Sequence, residues 1–304
     1  MMDIEQVAFP NNDNTWVIQS AVYKNSRQFL YPLLYFCGIS KSMLLCSGGI
    51  GLHLLPILVC VLTFVAVTSC YFLSLTQDHL SPYFPYISDA GSKIPESCIF
   101  GQLLNIVSVL AGLCFYSWHK HLLDCSQKFN QQCYRQIRLA RVALCFGLIC
   151  AVGMSIVANF QETAVWSMHL LGAGLLFGGG SAYTLAVTYI TYKYLGHSRI
   201  RITRLVLTFI SVSSFLLQPT TGLVARFMYD GDNIRKWKPT DQGYSFHVVS
   251  SMSEWITALS FICFIFTLVW ELKDYKVHEI KIVHRWSIIS DDNYGNNNDD
   301  NMLS

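Results

Sequence analysis

Charge is what this sequence has least of. Asp, Glu, Lys and Arg make up 13% of its 304 residues, about half the usual share in a soluble domain. The shortage is also segregated. No charged residue lies between Lys41 and Asp78, Glu96 and Lys120, Arg141 and Glu162, Glu162 and Lys193, or Arg204 and Arg226. A sixth window, 248–270, holds a single charge, Glu254. Gaps of that length exclude an ordinary soluble domain. Other absences narrow the chemistry. There is no CxxC pair, no Cys/His cluster with zinc spacing, no GxSxG, no HExxH, no phosphate loop and no clustered acidic metal site. A disulfide framework, a structural metal and a bound cofactor are therefore not expected. No N-x-S/T sequon occurs, so N-glycans are not expected either.

Apolar residues fill the gaps: 52% of the chain is hydrophobic, 14% is aromatic and the mean hydropathy is +0.37. Each window reaches the roughly 20 residues that cross a hydrocarbon core of about 30 Å. Lipid offers no partners to backbone N–H and C=O groups, so each window must be a helix. The sequence predicts an all-α polytopic membrane protein, a bundle of six spans near 54–75, 98–116, 142–158, 166–189, 205–225 and 250–270. Lys and Arg alternate strongly between the two sides of these spans, with 16 on the side of both termini and 5 on the other. The positive-inside rule then places both termini in the cytosol and loops 76–97, 159–165 and 226–249 in the lumen or outside. Basic residues such as Arg135, Arg138 and Arg141 read as orientation signals and contacts for anionic lipid headgroups, not as a nucleic-acid surface. The eleven cysteines read as small apolar packing residues; Cys125 and Cys133, in a basic loop, are alternative acylation positions.

The chain divides into three parts. Residues 1–42 are expected to be a poorly ordered extension or a mis-assigned start, with Met43 as the alternative first residue. Their one apolar run, 29–39, is interrupted by Pro32 and lacks a cleavage site. Residues 43–275 form the six-helix domain. Residues 276–304 are polar, acidic and of low complexity, hence a disordered cytosolic tail. Within the fourth span Gly174, Gly178 and Ala182 recur every four residues, a spacing that admits a close neighbour within the bundle or in a dimer. No inverted repeat or pair of Gly/Pro-broken spans points to a transporter.

Polar side chains gather on the side opposite the termini. The loop "PYFPYISDAGSKIPES" (82–97) carries Asp89 in a turn and Glu96 at the positive end of the next helix. The hairpin "NFQE" supplies Asn159, Gln161 and Glu162, with His169 just inside the following span. Asn105 offers an interhelical bond. In the sixth span His247, Ser250 or Ser251, and Glu254 share one helical face. Glu254 lies roughly 10 Å into that span, where a carboxylate needs a partner, hydration or a proton. It therefore reads as functional or structurally paired, and His169 is a candidate partner at similar depth. One His, one Glu and several Ser residues are also compatible with acyl or proton transfer, which keeps a lipid-modifying activity as the enzymatic alternative.

Three of these stretches, "PYFPYISDAGSKIPESCIFGQLLNI" (82–106), "GMSIVANFQETAVWSMHLLGAGLLF" (153–177) and "YSFHVVSSMSEWITALSFIC" (244–263), resemble the DNA damage-regulated autophagy modulator (DRAM) family. The similarity extends more weakly over about 43–275. The resemblance implies a six-span protein of the lysosomal or endosomal membrane that promotes autophagy, in some members coupled to apoptosis, and no known catalytic mechanism; such a protein is expected to act through protein partners or through membrane state. Distant relatives act in lipid remodelling, so the alternative function is lipid binding or lipid remodelling at a polar pocket around His169 and Glu254.

Overall fold

The computed structural model describes residues 50–128, 134–195, 198–231 and 233–277. The expectations for residues 1–42, for a start at Met43, for Cys133 and for the tail from 278 onward lie outside the described residues.

Six helices are long and apolar enough to cross a membrane. The first is α1 (Leu54–Thr76). A short helix in the following loop is α2 (Ile87–Ala90). The second and third spans are α3 (Glu96–Lys128) and α4 (Tyr134–Asn159). The fourth is composite: α5 (Trp166–Ala173), a π-helical insert (Gly174–Gly178) and α6 (Gly179–Tyr194). The fifth is α7 (Ser198–Met228), and the sixth is α8 (Tyr244–Phe266) continued by α9 (Val269–Leu272). A two-residue antiparallel pair, β1 (Ile50–Gly51) with β2 (Lys276–Val277), joins the start of the first span to the end of the last. Both ends of the described chain therefore lie on one face, and Lys276–Val277 of the predicted tail is ordered by that pairing.

The helices outrun the apolar windows. α3 at 33 residues is about 50 Å long by helix rise, whereas the window read from hydropathy was 98–116. Hydropathy marks where lipid begins, but backbone hydrogen bonding continues the helix into water until a breaker or an uncapped end stops it.

Each span packs mainly on the spans before and after it, and the sixth returns to the first. The result is a closed ring. One core cluster occupies the termini end, built around Trp118, Tyr183, Phe264 and Leu268; another near the loop end gathers Ala66, Cys70, Phe100, Leu104 and Val157. Large apolar side chains such as Phe64, Val109, Leu113, Val152, Leu185 and Phe209 face outward, where bilayer is the matching solvent. Exposed aromatics mark both rims, Tyr83, Phe84 and Trp166 at the loop end and Tyr134, Tyr192 and Trp270 at the other, as in an interfacial belt.

The tightest helix approach within the bundle does not fall on the stripe of Gly174, Gly178 and Ala182, which leaves the dimer alternative for that stripe. A side chain added at Gly174 would meet nothing within 4 Å, and one at Gly178 only the Phe215 ring at 3.5 Å. The close approaches fall instead at Gly153, whose Cβ would strike the backbone of Leu176 and Gly172, and at Gly179, which lies against Cys150 and Phe146 backbone. Gly174 and Gly178 share an open side of the fourth span, while Gly172, against Ile156 and Val157, and Gly179 take the side that faces the third span. Arg204, one of the 16 basic residues on the side of the termini, is not solvated. Its side chain is fully buried and forms a bidentate pair with Glu271 (Nη2–Oε2 2.7 Å, Nη1–Oε1 3.0 Å). Thr267 and Thr191 accept from it at 2.9 and 2.6 Å, Trp118 Nε1 donates to Glu271 at 2.5 Å, and the guanidinium sits over the Trp118 and Phe264 rings. Every charge in this cluster has a partner, as a buried ion pair requires.

Candidate functional site at the loop end

The site begins with the "PYISDAG" turn. Tyr86 is extended, and its N–H donates to the Asp89 carboxylate at 3.3 Å, which starts α2; the helix ends at Gly91. Its first turn then meets two acidic residues from distant parts of the chain. The backbone N–H of Ile87 donates to Glu254 Oε2 at 3.2 Å, and the Ser88 hydroxyl donates to Glu162 Oε2 at 2.9 Å. Asp89, Glu162 and Glu254 are thus brought together around four residues.

Asp89 is buried, and burial is the main influence that pushes its carboxyl well above the usual carboxylate range. The nearby Glu162 and Glu254 carboxylates act in the same direction, opposed by the Tyr86 N–H and by Arg235. Arg235 donates to Ser92 Oγ at 3.3 Å, and Ser92 Oγ in turn donates to the Asp89 carbonyl at 2.8 Å. Burial also raises the Tyr86 hydroxyl well above its ordinary range.

One face of α8 fixes the same loop from above. His247 stacks flat on Trp237 (ring centroids 4.4 Å apart, 7° between planes) and edge-on to Tyr86 at 5.0 Å. Ser250 donates to the Gln218 carbonyl at 2.7 Å, and Trp255 Nε1 donates to the Pro85 carbonyl at 2.9 Å. His247, Ser250 and Glu254 therefore act along one face, with Trp255 beside them.

The remaining predicted residues go elsewhere. Glu96, the first residue of α3, is fully buried; its Oε1 accepts from Ser74 at 2.9 Å and pairs with His79 Nδ1 at 2.5 Å. That locks the base of the loop. Asn159 exchanges two 3.0 Å hydrogen bonds with Asn105, and Ser155 also donates to Asn105, so this trio clasps α3 to α4. Gln161 contributes its carbonyl, which accepts from Ala164 and Val165 and turns the hairpin. His169 Nδ1 donates to the Phe160 carbonyl at 2.7 Å, closing the hairpin from inside the span. The direct His169–Glu254 pair anticipated from depth is absent; both side chains instead line a cavity of about 120 Å³ inside the helix ring.

Among the described residues no group of three or more His, Cys, Asp or Glu side chains is placed to hold a metal ion, and no disulfide joins the cysteines. Sequence reasoning missed the Arg204–Glu271 cluster and the bridging role of Ser88. The first was within reach: Arg204 and Glu271 are the charges that flank the apolar windows of the last two spans.

This geometry involves the three stretches picked out above, and comparison with known proteins finds them in a family. The profile described as "Frag1/DRAM/Sfk1/Cwh43P N-terminal domain" matches residues 51–275, which takes in all six spans. The chain belongs to the DRAM family. DNA damage-regulated autophagy modulator protein 2 of Bos taurus is 35% identical over 225 residues, covering 72% of this chain and 83% of that protein. DNA damage-regulated autophagy modulator protein 1 of Homo sapiens is 33% identical over 223 residues, 72% of this chain and 90% of the relative. The modulator of macroautophagy TMEM150B of Danio rerio shares 33% over 141 residues, 46% of this chain and 57% of its own. No solved structure matches the chain.

Proposed function

We propose that this member of the DRAM family is a modulator of autophagy that works from the lysosomal or endosomal membrane, with both termini in the cytosol. The carrying observation is the 35% identity over 225 residues to a protein named as an autophagy modulator, a match long enough to include the whole helix ring. The orientation rests on the charge count, 16 basic residues against 5, which the burial of Arg204 does not reverse. On this reading the protein acts by binding and not by chemistry. In support, Tyr86, Ser88 and Glu96 at the loop end are engaged in hydrogen bonds that hold the 82–97 segment in place. The partners are then protein components of the autophagy or lysosomal machinery and anionic lipids at the basic cytosolic loops.

Deleting the endogenous protein and measuring the turnover of a lipidated autophagosome marker, with and without a block on lysosomal acidification, tests the role. Reduced flux is expected, restored by the full chain; unchanged flux overturns it. An epitope inserted near Gln242 is expected to be reachable only from the lumen, and cytosolic accessibility overturns the orientation.

A further inference from the structure

The cavity inside the ring is small, and its wall is mostly apolar. Its volume is about 120 Å³, somewhat less than an engineered apolar cavity of roughly 150 Å³ that takes up benzene or xenon. That leaves room for a molecule of about five or six heavy atoms. Leu104, Phe115, Phe177, Phe261 and Ile265 supply much of the wall.

One polar group of that wall is uncommitted. Tyr183 lines the cavity and is 2% exposed, and its hydroxyl is buried without a hydrogen-bond partner among the described residues. Buried polar groups ordinarily avoid that state. The other hydroxyls of the lining are all engaged. Thr63 donates to the Val59 carbonyl, Thr184 to the Ser181 carbonyl and Ser88 to Glu162. The Tyr183 ring packs on Phe115 (centroids 4.4 Å apart), with Trp118 and Phe264 edge-on to it. α6 runs from the loop end toward the termini end, and helical side chains lean toward the start of their helix. Tyr183 therefore leans along the cavity toward the loop end. A water at its hydroxyl would lie against apolar walls, short of the two to four polar partners that hold a buried water. The Arg204–Glu271 pair is closed on itself and offers no counter-charge to an ion. The missing group is an uncharged acceptor.

We propose that the cavity is a binding site for a small uncharged lipophile with one carbonyl or ether oxygen, its apolar body against Phe115, Phe177 and Phe261 and its oxygen accepting from Tyr183. A charged ligand is excluded because burying an unpaired charge costs far more than one hydrogen bond returns. Such a molecule dissolves in the bilayer that surrounds the ring. The assignment stands independently of the autophagy reading, since it concerns what fills the ring and not what the protein does to flux.

The test uses the full chain purified in a nonionic detergent and saturation-transfer NMR, with empty micelles as the blank. The probes are cyclopentanone, cyclopentane and cyclopentylammonium, which share one ring and differ in the polar group. Cyclopentanone is expected to bind about three- to tenfold more tightly than cyclopentane, as suits one neutral hydrogen bond, and cyclopentylammonium is expected not to bind. Tyr183→Phe keeps the ring and removes the hydroxyl. It is expected to abolish the preference while leaving cyclopentane binding within about twofold, as loss of a neutral donor predicts. Ala258→Leu and Ala111→Leu each fill the cavity and are expected to lose both neutral probes; either variant suffices if the other does not fold. Equal binding of the two neutral probes by the wild type, or a preference that survives Tyr183→Phe, overturns the role of the hydroxyl. Binding of cyclopentylammonium overturns the uncharged class. Retention of cyclopentanone by a folded cavity-filling variant overturns the location, and no binding of any probe overturns the site.

Discussion

Ile87 gives its backbone N–H to the carboxylate of Glu254, 167 positions further along the chain, at 3.2 Å. The bond ties the first loop after the first span to the middle of the last span. It gives Glu254 a structural partner, which a carboxylate at that depth requires.

Removing the acceptor should loosen the loop. Glu254→Ala leaves the Ile87 N–H buried without a partner, which costs about 1–3 kcal/mol, whereas Glu254→Gln retains an acceptor and should cost less than about 1 kcal/mol. Thermal unfolding in detergent is expected to rank them in that order, with the 82–91 segment becoming cleavable by added protease in the alanine variant alone. Equal melting temperatures for the two variants would show that the bond does not hold the loop.

The Arg204–Glu271 pair yields a sharper contrast. Arg204→Met strands a buried carboxylate and should destabilise by about 3–5 kcal/mol. Combining it with Glu271→Gln removes the stranded charge and should recover most of that loss. Yield, size-exclusion profile and melting temperature of the single and double variants decide this; a double variant as poor as the single would mean that the guanidinium's packing on Trp118 and Phe264, not its charge, is what matters.

Acid should favour the loop end. Asp89 binds its proton more tightly when folded than when unfolded, because burial and the neighbouring Glu162 and Glu254 disfavour its charge. Its contribution to stability is therefore full below the ordinary carboxylate value of 3.8 and is lost as pH rises through its raised folded value. The melting temperature of the wild type should fall as pH rises from about 4. Asp89→Asn can still accept from Tyr86 and should flatten that slope. A wild-type curve as flat as the variant's would remove Asp89 from the account.

The glycines separate the tight face of the fourth span from the open one. Gly153→Ala places a methyl against the backbone of Leu176 and Gly172, so it should lower the melting temperature clearly. Gly174→Ala meets nothing within 4 Å and should be neutral or slightly stabilising, by up to about 1 kcal/mol. The same detergent melts test both, and the reverse order would place the helix contact on the other face.

The class of this protein was settled by composition: where charge is absent for twenty residues the chain must be helical in lipid, and six such gaps make a six-span bundle that returns its end to the side it began on. The sequence also placed Glu254, His247 and Ser250 on one helical face and drew Asp89, Glu162 and His169 to the same membrane side, because helix periodicity and topology are local rules that need no partner. Which of those residues meet was decided only by the tertiary structure. Asn159 turned to Asn105, and Glu96 paired with His79. His169 and Glu254 came to share a cavity and not a bond. Backbone groups such as the Ile87 N–H and the Phe160 carbonyl carry no sequence signature, and a four-residue glycine spacing does not say on which side of the span a neighbour will lie. Arg204 shows the same limit from the other side: a charge at the end of an apolar window reads as solvated until a second helix brings Glu271 and Trp118 to meet it.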